Sequence, residues 1–137
     1  MTKFKDLGLN DEVLRGITDQ GYEEAFEIQE AVIPILLSKR DVVGQAHTGS
    51  GKTAAFALSM LNDIVPKKGI QGLIMAPTRE LAIQINTEIR KMGKYTGIKT
   101  ATVYGGQGMG VQLDALHRGV EIIVATPGRL IDHLKRG

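Results

Sequence analysis

Two patterns of apolar residues take turns along the chain. One has the spacing of an amphipathic helix, and the other is a short apolar or alternating run that predicts a buried strand. Spacing of three and four residues predicts these helical stripes: Val13, Leu14 and Ile17; Ile28, Val32, Ile35 and Leu36; Ala54, Ala57, Leu58, Leu61 and Val65; Leu81, Ile85, Ile89 and Met92; Leu130, Ile131 and Leu134. A further short helix is predicted to end at Arg118. Apolar or alternating runs that start at Asp41, Gly72, Ile98 and Val120 predict strands.

Strand and helix therefore alternate four times, which predicts one α/β domain with an open parallel sheet and helices on both of its faces. Asn10, Thr78 and Thr126 are predicted N-caps, Pro127 occupies a first helical position, and Pro34 should bend its helix. In such a sheet the loops that follow the strands share the carboxyl edge, where ligands bind. These loops are residues 46–52, 77–79, 105–110 and 126–129.

The sequence AHTGSGKT, residues 46–53, has the chemistry of a phosphate-binding loop. Gly49 and Gly51 let backbone N–H groups turn inward where a Cβ would obstruct them, and the following helix presents its positive end to phosphates. The general pattern GxxxxGK[ST] has Ala46 at the position of its first glycine. The predicted nucleotide-binding residues are His47, Thr48, Gly49, Ser50, Gly51, Lys52, Thr53 and Ala54. Lys52 and Thr53 are the predicted catalytic residues, and Thr53 is the predicted Mg²⁺ ligand.

Composition narrows the classes of function. The 137 residues include no cysteine, which excludes disulfides and thiolate metal sites and favours a cytoplasmic location. No apolar run approaches the ~20 residues that span a bilayer, and His47, His117 and His133 lie too far apart for a zinc site. A net charge of +2 favours a polyanionic partner. An aromatic content of 4% favours contacts with phosphates and sugars over base stacking.

Several loop motifs occur together in a fixed order. GYEEAFEIQ, AHTGSGKT, PTRELAIQ, GG and TPGRL, at these separations, resemble the amino-terminal RecA-like core domain of DEAD-box ATP-dependent RNA helicases. The resemblance covers essentially the whole chain, and Ala46 is usual in that family. It implies a partial P-loop NTPase domain over residues 1–137, with an adenine-recognition segment over residues 4–29 and with ATP and Mg²⁺ as cofactors.

The resemblance also implies how the base is recognised. Gln29 would read the adenine edge, assisted by the backbone near Tyr22 and by stacking of Phe4. A carboxamide carries one donor group and one acceptor, which matches the acceptor N7 and donor N6 of adenine. Ala25 and Phe26 stand where the family usually has Pro and then Thr or Ser. This departure bears on the hydrogen bonds that tie the segment to the phosphate loop.

The later motifs imply a grip on RNA, single-stranded or duplex, through its sugar-phosphate backbone. The implied RNA-binding residues are Pro77, Thr78, Arg79, Glu80, Gly105, Gly106, Thr126, Pro127, Gly128 and Arg129. Helix starts and arginines suit phosphates, so binding should be independent of base sequence and sensitive to salt.

Hydrolysis of ATP requires a carboxylate that holds Mg²⁺ and positions water, and a second RecA-like domain normally supplies arginines. No predicted strand ends in Asp or Glu, and the chain stops at Gly137, before the family's Asp-Glu-Ala-Asp motif would be expected. We therefore expect a piece of a helicase that unwinds or remodels short RNA duplexes, unable to hydrolyse ATP alone. Two other classes stay open: a non-catalytic nucleotide- or RNA-binding module, and a P-loop NTPase that acts on DNA.

Overall fold

The structure, a computed structural model, describes residues 2–137, which divide into two compact units. The first unit runs as far as Asp63 and also includes Lys91–Gly97. The second unit consists of Ile64–Arg90 and Ile98–Gly137. The phosphate-binding motif belongs to the first unit, whereas the three loops implied in RNA binding belong to the second.

The first unit is helical. A short 3-10 helix at Phe4–Asp6 precedes α1 (Asp11–Asp19), α2 (Glu27–Leu37) and α3 (Lys52–Asp63). The prediction that Asn10 caps α1 is confirmed, because its side chain accepts a hydrogen bond from the backbone N–H of Val13 at 3.0 Å. Pro34 lies inside α2, as the apolar stripe predicted.

The second unit is an α/β layer built on a three-stranded parallel sheet of order β1-β3-β2. Its elements are β1 (Gly72–Met75), α4 (Arg79–Met92, whose last two residues belong to the first unit), β2 (Thr100–Val103), α5 (Met109–His117), β3 (Ile122–Ala125) and α6 (Pro127–Arg136). Thr78 caps α4 as predicted, because its hydroxyl accepts from the N–H of Leu81 at 3.2 Å. The α/β fold with an open parallel sheet is thus confirmed.

The core of the second unit lies against one face of β2 and β3. It consists of Ala101, Val103, Val120, Ile123 and Ala125, with Ala115, Leu116 and Leu130 packed against it. All four residues of β3 are buried, as the apolar run VEIIVA predicted for a central strand. The carboxyl ends of β2 and β3 therefore rest on a packed layer.

The predicted strand that starts at Asp41 is wrong, because the described chain has three strands and none precedes the phosphate loop. Residues 41–46 form no backbone–backbone hydrogen bond with other described residues, and the side chain of Val43 is 99% exposed. A strand requires a neighbour that completes its ladder of hydrogen bonds. Apolar character alone therefore leaves this segment without a strand partner, and three of the four predicted loops follow a strand of the described chain.

Two apolar faces also differ from expectation. The wholly apolar run of β1 predicted a buried strand, yet Leu73 and Met75 are about half exposed because one side of this edge strand is uncovered. The predicted face of α6 is exposed at Ile131 and Leu134, so only Leu130 packs on the core. Thr126 stands at the N-cap of α6 and Pro127 begins the helix as predicted, but the Thr126 side chain makes no cap hydrogen bond.

Within residues 2–137, every helix is too short or too polar to cross a membrane. The prediction that residues 1–137 form a single partial domain stays a prediction.

Candidate functional site

The phosphate loop has the backbone conformation that its glycines predicted. Gly49 and Gly51 adopt φ of 86° and 87°, in the region that favours glycine. α3 begins directly afterwards at Lys52, so its unpaired N–H groups and positive end face the loop. A glycine turn that opens into a helix N-terminus can bind phosphate oxygens.

Gly51 is packed so closely that no side chain fits there. A Cβ at this position would lie 2.3 Å from Nε2 of Gln29 and 2.8 Å from Cδ2 of Phe26. A Cβ at Gly49 would meet no atom within 4 Å. The two loop glycines thus share a backbone conformation but differ in surroundings, and only Gly51 is pressed against the segment that precedes the loop.

Gln29 joins that segment to the phosphate loop. Its Oε1 accepts from the N–H of Phe26 at 2.8 Å, and its Nε2 donates to the carbonyl oxygen of Gly51 at 3.2 Å. Since a backbone N–H only donates and a carbonyl only accepts, these partners fix the orientation of the amide. These two bonds use one N–H and one lone pair of the carboxamide, and the residue is only 3% exposed. The prediction that Gln29 reads adenine stays a prediction.

Phe26 occupies the N-cap of α2 without a side-chain hydrogen bond, because a phenyl ring has no acceptor. The family usually has Thr or Ser here, whose hydroxyl could accept from the first turn of the helix. In this chain the Gln29 side chain supplies the capping bond at this end of α2, and Ala25 is buried. The tie to the phosphate loop therefore persists despite both departures from the family pattern.

The two aromatic residues at the start of the chain are stacked on each other. The rings of Phe4 and Tyr22 lie 6.0 Å apart at 24°, and Phe4 is only 3% exposed. Tyr22 is the exposed ring of the pair. Stacking of Phe4 on adenine stays a prediction, and the accessible aromatic surface here belongs to Tyr22 and to Phe26.

A cavity of about 610 Å³ lies beside the loop. Its lining comes from the first turns of α2 and from the loop: Phe26, Glu27, Ile28, Ala31, Gln45, Ala46, His47, Gly49 and Ser50. Sites for small molecules commonly have volumes of roughly 300–1,000 Å³. The cavity therefore has room for a nucleotide next to the predicted phosphate-binding turn.

Lys52 is exposed, and its Nζ donates to the carbonyl oxygen of Ala46 at 2.6 Å. The ammonium group thus reaches back to the start of the loop. Within the turn, the backbone N–H of Ser50 donates to the carbonyl oxygen of His47 at 3.3 Å. The Ser50 Oγ donates to the same oxygen at 2.6 Å. Thr53, the predicted Mg²⁺ ligand, is half-buried in the first turn of α3.

In the second unit the predicted RNA-binding residues lie at the carboxyl ends of three adjacent parallel strands. Residues 77–80 follow β1, residues 105 and 106 follow β2, and residues 126–129 follow β3. Gly106 adopts φ of 90°, and a Cβ there would lie 3.0 Å from Nη1 of Arg79. The structure thus brings these three loops to one edge of the sheet.

The two arginines of this edge differ in how they are held. The Arg79 side chain is 52% exposed and pairs weakly with the neighbouring Glu80 at 3.4 Å. The Arg129 side chain is 16% exposed, and its Nη1 donates to the carbonyl oxygen of Gln107 at 3.0 Å. Arg79 is therefore free to meet a ligand, whereas Arg129 is largely engaged inside the protein.

Sequence reasoning gave no site role to Gln112 or His133, whose side chains are in contact. His133 Nε2 and Gln112 Oε1 are 2.8 Å apart, and burial followed by the charge of Arg129 lowers the pKa of His133 below 6.5. The signal was present, because Gln112 occupies the same helix face as Ala115 and Leu116, at a position where an apolar residue is expected.

A family model described as DEAD/DEAH box helicase matches residues 26–137. The DEAD-box ATP-dependent RNA helicase CshA of Bacillus cereus is 47% identical over 137 residues, which are 99% of this chain and 26% of that protein. The ATP-dependent RNA helicase DeaD of Klebsiella pneumoniae is 52% identical over 138 residues, 99% of this chain and 22% of that protein. The chain thus spans about a quarter of the length of these curated relatives.

Two solved structures are similar over nearly the whole chain. A DEAD box protein from the hyperthermophile Methanococcus jannaschii is 41% identical with a TM-score of 0.95, covering 100% of this chain and 38% of that one. S. cerevisiae Dbp5 bound to RNA and ADP BeF3 is 33% identical with a TM-score of 0.86, covering 99% of this chain and 34% of that one.

Proposed function

Since the chain belongs to the DEAD/DEAH box helicase family, we propose that it supplies the ATP-binding and RNA-backbone-binding part of an ATP-dependent RNA helicase. The parent protein would use ATP to separate or remodel short RNA duplexes. The observation that carries the proposal is the phosphate loop, in which Gly51 lies against Gln29 and α3 opens directly from the turn.

The residues present fit ATP. The loop offers backbone N–H groups and the Lys52 ammonium to the phosphates, and the Gln29 carboxamide beside the loop has the donor and acceptor types that complement adenine. No cluster of three His, Asp or Glu side chains that could hold a metal is present among residues 2–137. Mg²⁺ would therefore be held by the Thr53 hydroxyl together with phosphate oxygens, where it would neutralise phosphate charge.

The edge of the second unit fits a phosphate backbone. The N-termini of α4 and α6 and the glycine-rich loop after β2 present N–H groups there, and Arg79 adds an exposed charge. None of these groups distinguishes one base from another, so RNA of any sequence should bind. The 2′-hydroxyl is the group that would separate RNA from DNA.

Turnover would require groups that these residues lack. None of the strands in the described chain is followed by Asp or Glu, because β1 leads to Ala76, β2 to Tyr104 and β3 to Thr126. We therefore propose that the chain alone binds ATP without hydrolysing it, and that a second RecA-like domain completes the enzyme. The cytoplasmic location inferred from the absence of cysteine belongs to this proposal.

Calorimetric titration of the chain with ATP and Mg²⁺ tests the nucleotide site. Lys52→Ala should weaken binding about tenfold or more, because a charged hydrogen bond contributes roughly 1.5–3 kcal/mol. Lys68→Ala, in the exposed turn between α3 and β1, is the matched control and should bind like the unmodified chain. Equal affinities of all three proteins for ATP would refute the proposed site.

The RNA proposal is tested by the anisotropy of a labelled oligouridylate at several salt concentrations. Arg79→Ala should weaken binding, because one charged contact with a phosphate is lost. The magnitude of the slope of log K against log salt concentration should fall by about 1. Arg118→Ala removes an exposed arginine outside the edge and should leave the slope unchanged. An equal affinity for the deoxy oligonucleotide would favour the alternative of a DNA-directed NTPase.

A further inference from the structure

Gln112 is the buried residue of α5, with 2% exposure, and both ends of its carboxamide are bonded. Its Nε2 donates to the carbonyl oxygen of Tyr104 at 2.7 Å and to Oε1 of Gln107 at 2.9 Å. Its Oε1 is 2.8 Å from Nε2 of His133 and 3.4 Å from Nη1 of Arg129. A single side chain thus joins the loop after β2 to the helix after β3.

The chemistry of these partners settles their roles. The carbonyl of Tyr104 only accepts, so Nε2 of Gln112 must face it and Oε1 must face α6. Oε1 has no hydrogen, so the facing Nε2 of His133 is the donor and carries the proton. Arg129 and His133 both donate towards one oxygen. A carboxamide fits this arrangement, whereas a carboxylate would supply no donor towards the loop.

The glycines of the loop that Gln112 holds have open surroundings. A Cβ at Gly105 or Gly108 would meet no atom within 4 Å, and one at Gly106 would meet only Arg79. Glycines lose more conformational freedom than other residues when they become ordered. The bonds to Tyr104 and Gln107, with the Arg129 bond to the carbonyl of Gln107, therefore supply much of the restraint on this loop.

We infer that Gln112 is a positioning residue for RNA binding, which holds residues 104–107 and Arg129 in the arrangement that receives the phosphate backbone. The inference rests on the proposed RNA-binding role of this edge. Arg129 then acts mainly through its bond to Gln107, while Arg79 supplies the exposed charge. Gln112 touches neither RNA nor nucleotide and works through the loop and Arg129.

The test uses Gln112→Met, which keeps the length and neutrality of the side chain but removes every hydrogen bond. RNA affinity should fall about tenfold, because the loop loses stabilisation equal to roughly one net hydrogen bond. The salt slope should stay unchanged, because no charge is removed. ATP affinity should also stay unchanged, since the phosphate loop belongs to the other unit. Gln84→Met, at an exposed glutamine of α4, is the matched control.

A double-mutant cycle with Arg129→Met distinguishes positioning from general structural damage. The two substitutions should be non-additive in RNA affinity, because each breaks the same support of the loop. Gln112→Glu, which keeps the acceptor towards α6 but loses the donor towards Tyr104, should also weaken RNA binding if Gln112→Met does not fold. Any of three results would overturn the inference: additive losses of RNA affinity in the cycle, an RNA affinity of the Gln112 variant within twofold of the unmodified chain, or a parallel loss of its ATP affinity.

Failure of the proposed function itself would look different. In that case the unmodified chain would bind no oligouridylate, whereas the cycle measured on thermal unfolding would still report whether Gln112 and Arg129 are coupled. Coupling in unfolding would support the contact between loop and helix. Its absence would overturn the positioning role regardless of RNA.

Discussion

The side-chain Nε2 of Gln29 lies 3.2 Å from the carbonyl oxygen of Gly51, and a Cβ at position 51 would come within 2.3 Å of that nitrogen. Gly51→Ala should therefore displace Gln29 and weaken ATP binding by about tenfold or more. Gly49→Ala is the control, because it imposes the same left-handed strain of roughly 1–2 kcal/mol without a steric contact. ATP titration of both variants checks this, and equal effects would contradict the packing argument.

Replacing Phe26 should reveal the missing cap of α2. A threonine at this position can accept from an N–H of the first turn, and such a cap contributes typically about 1 kcal/mol. Both Phe26→Thr and Phe26→Ala remove the same exposed ring, so the comparison between them isolates the cap. The free energy of unfolding of Phe26→Thr should be higher by about 1 kcal/mol. Denaturant unfolding measures the difference. No advantage for threonine would mean that the bond from Gln29 already satisfies this end of the helix.

Gly16 packs closely against the backbone of Met92. A Cβ there would lie 2.0 Å from the carbonyl oxygen of Met92, so Gly16→Ala forces α1 away from the end of α4. Overpacking of this kind costs about 1–3 kcal/mol, occasionally more. Gly110→Ala is the matched helical control: open space surrounds it, and alanine should gain roughly 0.5–1 kcal/mol in α5. Unfolding midpoints that move in the same direction would contradict this account.

His133 should make stability depend on pH. Burial and the charges of Arg129 and Arg136 lower its pKa in the folded protein below the ordinary 6.5, against the opposite effect of Asp132. The unfolded chain therefore binds more protons between the two pKa values. Stability from this group is present above pH 6.5 and is lost as the pH falls through the folded pKa.

His133→Gln provides the comparison for that pH dependence, because its amide can still donate to Gln112 but does not titrate. Unfolding curves of both proteins between about pH 7.5 and 5 bracket the ordinary histidine pKa. The unmodified chain should lose more stability than the variant over that range. Parallel curves would show that the pKa of His133 is the same in the folded and the unfolded protein.

Helices were predictable because the information that specifies them is local. The caps at Asn10 and Thr78 and the apolar stripes lie within a few residues of the backbone groups that they satisfy or cover. Strands depend on partners that are distant in the sequence. Residues 41–46 have strand-like composition but no neighbour within the described chain to complete a ladder, so their conformation could not be read from apolar character.

The candidate site was predictable where the residue types of a motif determine the backbone conformation. The turn at Gly49 and Gly51 and the helix start at Lys52 followed from residue types alone. The engagement of Arg129 with Gln107 did not, because a surface arginine and a buried one have the same sequence signature at a helix start. The sequence pattern places Gln112 on the apolar face of α5, but the partners of its carboxamide became known only from the structure.

Amide chemical shifts of the isotopically labelled chain, followed through a titration first with ATP and Mg²⁺ and then with oligouridylate, test the central claim most directly. The account predicts that ATP shifts the amides of residues 47–54 and the side-chain amide of Gln29. It predicts that RNA shifts residues 77–80, 105–106 and 126–129, with no ATP consumed. ATP that leaves residues 47–54 unmoved, or RNA that leaves all three loops unmoved, would contradict it.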